Sequence, residues 1–234
     1  MPQQEPVTAP RRTRLRAADR RASILDAATL VFSGAGYRGA RTSEIAARVG
    51  VSEPVVFQNF GSKAALYAAV LDRAAERVCA GLRENLASCC GGSVAALLDH
   101  VLAPGHVDRM HARGTLGALL ADAAALTGEP AIAEAYRRGT RRIAEELTAV
   151  LAEGQRAGEV APEADPATGA WWLLSLLASH RFRHTAVPGE ARAELEDGLA
   201  ELTRRLLVPD GPGRQHVHHR HARPGDPANP LDGI

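Results

Sequence analysis

The stretch TSEIAARVGVSEPVVFQNFGSK, from Thr42 to Lys63, decides how the rest of the chain is read. Thr42 can cap a helix N-terminus with its hydroxyl, and Glu44 then faces the positive end of the dipole. Ile45 and Val49 are spaced to point inward. Gly50 suits the left-handed backbone of a tight helix exit. Ser52 can cap the next helix, and Pro54 falls in its first turn, where a missing amide costs little. The pattern predicts two short helices joined by a three-residue turn, the second at about Glu53 to Phe60. Ile45, Val49, Val51, Val56 and Phe60 then form one small core that turns the polar side of the second helix outward, free to enter a major groove.

Upstream, Ile24, Ala27, Ala28, Val31 and Phe32 follow the period of one buried helical face, beginning near Asp19 and stopped by Gly34 and Gly36. Residues 1–18 hold prolines and clustered arginines with no hydrophobic period and are expected to form a disordered basic arm that reaches toward DNA. Residues 1 to 63 carry ten basic side chains against five acidic ones, a net charge of +5; with +1 for the whole chain, the remainder carries −4. A positive N-terminal lobe suits phosphate.

Downstream, Leu66, Val70, Ala74, Val78, Leu82 and Leu86 mark a long helix ended by Gly91 and Gly92. Further helices are expected over 93–103, 109–126, 130–157, 166–184 and 189–207, punctuated by prolines and glycines. Aromatic residues are only 4% of a chain rich in Leu and Ala, a balance that favours helices over strands. The expected fold is all-α: an N-terminal three-helix helix-turn-helix domain at 19–64, a larger C-terminal helical ligand-binding and dimerisation domain at 65–207, and a flexible tail at 208–234. No apolar run is long enough to span a membrane, and the N-terminus has no secretory pattern, so a cytoplasmic protein with no membrane partner is expected. Cys79, Cys89 and Cys90 lack zinc spacing and read as reduced thiols.

The 42–63 segment resembles the TetR family of bacterial regulators, whose signature has a capping Thr, an Ile-Ala pair, Gly-Val-Ser, two aromatics three residues apart and a Lys. These stand here as Thr42, Ile45-Ala46, Gly50-Val51-Ser52, Phe57, Phe60 and Lys63. The family usually has Tyr where Phe57 stands and often His where Asn59 stands, so one phenolic bond to phosphate is missing. The resemblance implies a homodimer on a double-stranded, near-palindromic operator. Thr42 and Lys63 would hold phosphates at helix N-termini, helped by Arg41 and Arg48. Ser52, Glu53, Val55, Gln58 and Asn59 lie on or near the exposed face; Gln58 and Asn59 carry the paired donor and acceptor that suit adenine, and Val55 a surface for a thymine methyl.

The last two expected helices carry apolar stripes of Trp171, Leu174, Leu177 and Ala178, then Leu195, Leu199, Leu202 and Leu206. In the resembled family such a pair meets its symmetry mate as a four-helix bundle, spacing two reading helices by about one DNA turn. Such regulators usually sense a small molecule between the central helices. Candidate lining residues are Leu97, Val101, Met110, Leu116, Leu119, Leu120, Tyr136, Ile143, Leu147, Trp172 and Leu176, which would suit an apolar or amphipathic effector. The expected activity is therefore a ligand-responsive repressor that releases its operator on binding the effector; the alternative is an effector-independent, constitutive or architectural DNA-binding protein. No Gly-rich phosphate loop, nucleophile elbow or zinc-protease motif points to an enzyme, and no cofactor is expected. His180 and His184, four apart, face one side of a helix, but no third ligand is near in sequence, so a metal is not expected. The tail histidines His216, His218, His219 and His221 are suited only to adventitious nickel or zinc.

Overall fold

The computed structural model describes residues 17–126 and 128–209; most of the proposed arm and nearly all of the tail therefore lie outside the described residues. Eleven α-helices follow one another, with no strand among the described residues. The head consists of α1 (Ala17–Gly39), α2 (Thr42–Val49) and α3 (Glu53–Phe60). The long α4 (Lys63–Glu84), extended by a π turn at Asn85–Cys89, leads into α5 (Val94–Leu102), α6 (Pro104–His111), α7 (Leu116–Ala124), α8 (Pro130–Arg156), α9 (Pro166–Ala178), α10 (His180–Ala186) and α11 (Gly189–Leu207). No helix of the described residues is long and apolar enough to cross a membrane.

The expected first helix does not stop at Gly34. It runs on to Gly39 through a kink at Gly36, whose φ of 70° with ψ of 171° is backbone that only glycine adopts without strain. The helix survives the kink because its far side is held from another part of the chain. Tyr37 N donates to Asp122 Oδ2 of α7 at 2.8 Å, and the Tyr67 hydroxyl of α4 donates to the same oxygen at 2.7 Å. Tyr67 is fully buried, and that burial, with the Asp122 carboxylate beside it, pushes its phenol far above the ordinary range, so it stays a donor.

Two expected helices are each two helices. The 109–126 stretch is broken because Ala112 is extended, Gly114 N donates to Ser33 O of α1 at 3.1 Å, and Thr115 caps α7 by accepting from Ala118 N. Pro104, read as punctuation, instead opens α6 in the first turn, where proline fits. The 166–184 stretch breaks at Ser179. There the Ser175 and Ser179 hydroxyls bond back to carbonyls four residues earlier, and Arg183 Nη1 takes the Leu176 carbonyl at 2.9 Å. The 130–157 and 189–207 expectations match α8 and α11 within a residue.

Two hydrophobic clusters organise the chain. One joins α1, α2, α3 and the first half of α4 to Leu119, Ala123, Leu126, Ile132 and Ala135, so the head is seated on α7 and α8. The other fills the space between the second half of α4, α5, α8, α9 and α11. α8 lies along α4, with Arg138 to Asp72 at 3.1 Å, Arg142 to Glu76 at 2.9 Å and Arg83 to Glu146 at 2.6 Å along the seam. These exposed pairs each contribute at most about 1 kcal/mol; the apolar seam does most of the holding.

Candidate nucleic-acid interface

Ile24, Ala28, Val31 and Phe32 of α1, Ile45 and Ala46 of α2, and Val56 and Phe60 of α3 are buried together, with Val49 and Val51 packed against them. The turn between α2 and α3 has Gly50 at φ 69°, ψ 35°, and its amide closes α2 onto the Ala46 and Ala47 carbonyls. Ser52 stands at the α3 cap position in extended backbone, though its side chain makes no capping bond, and Pro54 sits in the first turn. Because Val56 and Phe60 are drawn inward, Ser52, Pro54, Phe57 and Gln58 face out, with Glu53, Val55 and Asn59 half-buried at the margins.

The flanking groups are placed less simply. Arg41, not Thr42, precedes α2 at the cap position; Thr42 lies inside the first turn and is only 7% exposed, so its hydroxyl does not cap. What α2 offers a phosphate is its N-terminal amides and the exposed Arg41. Arg48 is exposed and paired with Glu44 at 3.1 Å, four residues away on the same helix. Asn59 Nδ2 donates to Val55 O at 2.7 Å, which leaves Gln58 as the amide of the pair that faces solvent.

Lys63 opens α4 behind Ser62, whose hydroxyl accepts from Ala65 N. Its Nζ donates to Ala40 O at 2.6 Å and lies 4.9 Å from the centre of the Tyr37 ring. The ammonium therefore ties the start of α4 to the joint between α1 and α2. An ammonium has three donors, so bonds remain for a phosphate. Arg21 of α1 was not singled out in the sequence: its guanidinium lies 4.0 Å over the Phe60 ring and donates to Asn59 O, holding the last turn of α3. A basic residue three before the buried Ile24 carries no local signal that it reaches α3.

In the C-terminal lobe, Leu119 packs in the cluster that seats the head, with Leu116, Leu120 and Tyr136 against it. Leu97, Val101, Ile143 and Leu147 pack in the other cluster, joined by Leu176 and again by Leu120. Met110 is half-buried on α6. Trp172 is exposed on α9, with its indole N–H donating to Thr203 Oγ1 of α11 at 3.2 Å. The eleven expected lining residues thus divide between two packed clusters and the surface, and none of them lines a cavity of about 100 Å³ between α6, α10 and α11. Of the expected dimer stripe, Trp171, Leu195, Leu202 and Leu206 are exposed, as is Ala178. Leu174, Leu177 and Leu199 are half-buried, the first two against the inner cluster. Trp172 and Phe182 are exposed as well.

These features define a helix-turn-helix head on a helical lobe with an uncovered apolar face. A family model described as bacterial regulatory proteins, tetR family, matches residues 24–70. That match covers most of the head and the first part of α4. The chain is 46% identical over 76 residues to the HTH-type transcriptional activator FasR of Mycolicibacterium smegmatis, covering 32% of this chain and 35% of that protein. It is 28% identical over 185 residues to the A-factor receptor protein of Streptomyces griseus, covering 79% of this chain and 61% of that protein. The matched regions thus span about a third and under two thirds of those relatives. Among solved structures, the TetR-family transcriptional regulator of Cytophaga hutchinsonii superposes with a TM-score of 0.66 at 20% identity, covering 85% of this chain and 100% of that one. A TetR-family regulator of Pectobacterium atrosepticum superposes with 0.62 at 25% identity, over 86% and 100%.

Proposed function

We propose that this protein is a sequence-specific, double-stranded DNA-binding transcriptional regulator of the cytoplasm, working as a homodimer on a near-palindromic operator. The observation that carries this reading is the outward face of α3, with Gln58 free for a base edge while Val56 and Phe60 anchor the helix from behind. Arg41, Arg48, Lys63 and the amides around Thr42 supply phosphate contacts that set register; Ser52, Glu53, Val55, Phe57 and Asn59 complete the reading surface. The exposed apolar face of α9 and α11 supports the dimer, because a monomer seldom leaves so many large apolar side chains together in water.

Effector-triggered release of the operator is the finer part of the proposal, supported by the relationship to a protein named as a receptor. A ligand could release DNA only by binding differently to the two conformations of the dimer. The close packing of most of the expected lining residues favours the second reading, a regulator that needs no effector. Selection of bound fragments from random duplex DNA by the purified full chain tests the main claim. The expected result is an inverted repeat with half-site centres about 34–36 Å apart. No enrichment over bulk duplex at moderate ionic strength would overturn it. With the selected site in hand, a small-molecule screen for release separates the responsive reading from the constitutive one.

A further inference from the structure

The sequence offered His180 and His184 on one helical face without a third ligand; the fold supplies one from 72 residues earlier in the chain. Asp108 of α6 stands against α10, and one ligand atom from each of Asp108, His180 and His184 lies within 4.8 Å of the other two. We propose that Asp108, His180 and His184 form a binding site for a zinc-type divalent cation that ties α6 to α10.

Three observations carry it. His180 Nε2 and Asp108 Oδ1 are 3.1 Å apart, close to the separation of roughly 3.3 Å that two ligands show around a tetrahedral ion with bonds near 2.0–2.1 Å. The His180 ring is 5% exposed, and its Nδ1 is buried without a hydrogen-bond partner, although Glu196 Oε1 lies only 3.9 Å away. A metal on Nε2 would settle the tautomer with a proton on Nδ1, and a small movement would then bring that N–H onto the carboxylate. Such a carboxylate behind a ligating imidazole is the usual support of a metal-bound histidine. Finally, the cavity of about 100 Å³ beside Asp108, His180 and Glu196 leaves room for the water that completes a site with three protein ligands.

A plain bond between His180 and Asp108 would explain the first distance. It would leave unexplained both the convergence of His184 and the orphaned Nδ1. Arg183 does not compete for this space, because it forks onto Glu196 at 2.7 and 3.0 Å. Two imidazoles and one carboxylate select zinc and its first-row neighbours over magnesium and calcium, which take oxygen ligands.

The test uses the full chain with His216, His218, His219 and His221 all changed to Gln, so that the tail contributes no ligands. Titration with Zn²⁺ by calorimetry, and with Co²⁺ by visible absorption, is expected to show one ion per chain and the intense bands of a four- or five-coordinate site, with no binding of Mg²⁺. His184 and Asp108 are both exposed, so His184→Gln and Asp108→Asn should fold normally by circular dichroism. Each should weaken Zn²⁺ and Co²⁺ binding by on the order of 10- to 100-fold or more, and abolish the rise in melting temperature that Zn²⁺ produces. No ion bound by the tail-substituted chain, or binding unchanged in both variants, would overturn the site.

Discussion

The head and the far end of the C-terminal lobe treat their apolar residues in opposite ways. In the head, Ile24, Phe32, Ile45, Val56 and Phe60 all turn inward, and the large apolar side chains left exposed, Leu30 and Phe57, stand singly on different helices. On α9, α10 and α11, Trp171, Trp172, Phe182, Leu195, Leu202 and Leu206 remain outside, with Trp171 at 49% and Leu202 at 55% exposure. The difference is one of completeness. The head finishes its core within one chain and, on the proposed function, keeps its surface for recognition, whereas the lobe leaves apolar side chains that a second copy would cover. On the proposed function each chain carries one reading helix, so recognition of two half-sites would depend on the lobe rather than the head.

The sharpest way to break this contrast is to charge the uncovered face. Leu202→Glu with Leu206→Glu should give a folded monomer in sedimentation equilibrium and lower affinity for a two-half-site operator by about 10²- to 10⁴-fold, since the second head is no longer held near its half-site. A variant that stays dimeric would move the interface elsewhere.

The next effect concerns the joint between the two regions. Asp122 accepts from Tyr37 N and from the Tyr67 hydroxyl, so Asp122→Ala strands the Tyr37 amide and leaves the fully buried hydroxyl only its longer bond to Leu119 O at 3.2 Å. A loss of about 1–3 kcal/mol in urea unfolding is expected, the cost of one unsatisfied donor. A single transition should persist, because head and lobe share one hydrophobic cluster. Two separate transitions would show that the head is independent after all.

Smaller effects test the head alone. Gln58→Ala should cost about 1–3 kcal/mol at one base pair of the selected operator and little on random duplex. Equal losses on both would exclude direct readout by this side chain. Lys63→Ala should weaken every duplex alike and flatten the salt dependence by about one ion. Because Lys63 also donates to Ala40 O, a stability loss of about 0.5–1.5 kcal/mol should accompany it. Unchanged salt dependence with lowered stability would assign the residue to the joint and not to phosphate.

Local signals were legible wherever their cause was local. The spacing of Ile45, Val49, Val56 and Phe60, the left-handed turn at Gly50 and the proline in the first turn of α3 all act within a few residues, and α2 and α3 form where those signals place them. The kink at Gly36 was misread as a stop because the bond that lets the helix continue comes from Asp122, more than eighty residues away. The break at Ser179 was missed because Leu, Ala and Trp around it have ordinary helical spacing. The break is instead stabilised by an Arg183 side chain folded back onto the Leu176 carbonyl. Arg21 over Phe60 and Asp108 beside His180 were invisible for the same reason: neither partner lies within a helical turn of the other.

Sequence alone determined the helical class, the head and the side of α3 that faces out, because periodicity, capping and turn chemistry act over a few residues and need no partner. Tertiary structure alone decided which of many similar leucines and tryptophans are core and which are surface, and which distant carboxylates meet Tyr67 and His180. An apolar stripe looks the same whether its neighbour is this chain or water, and side chains distant in sequence become neighbours only when whole helices pack.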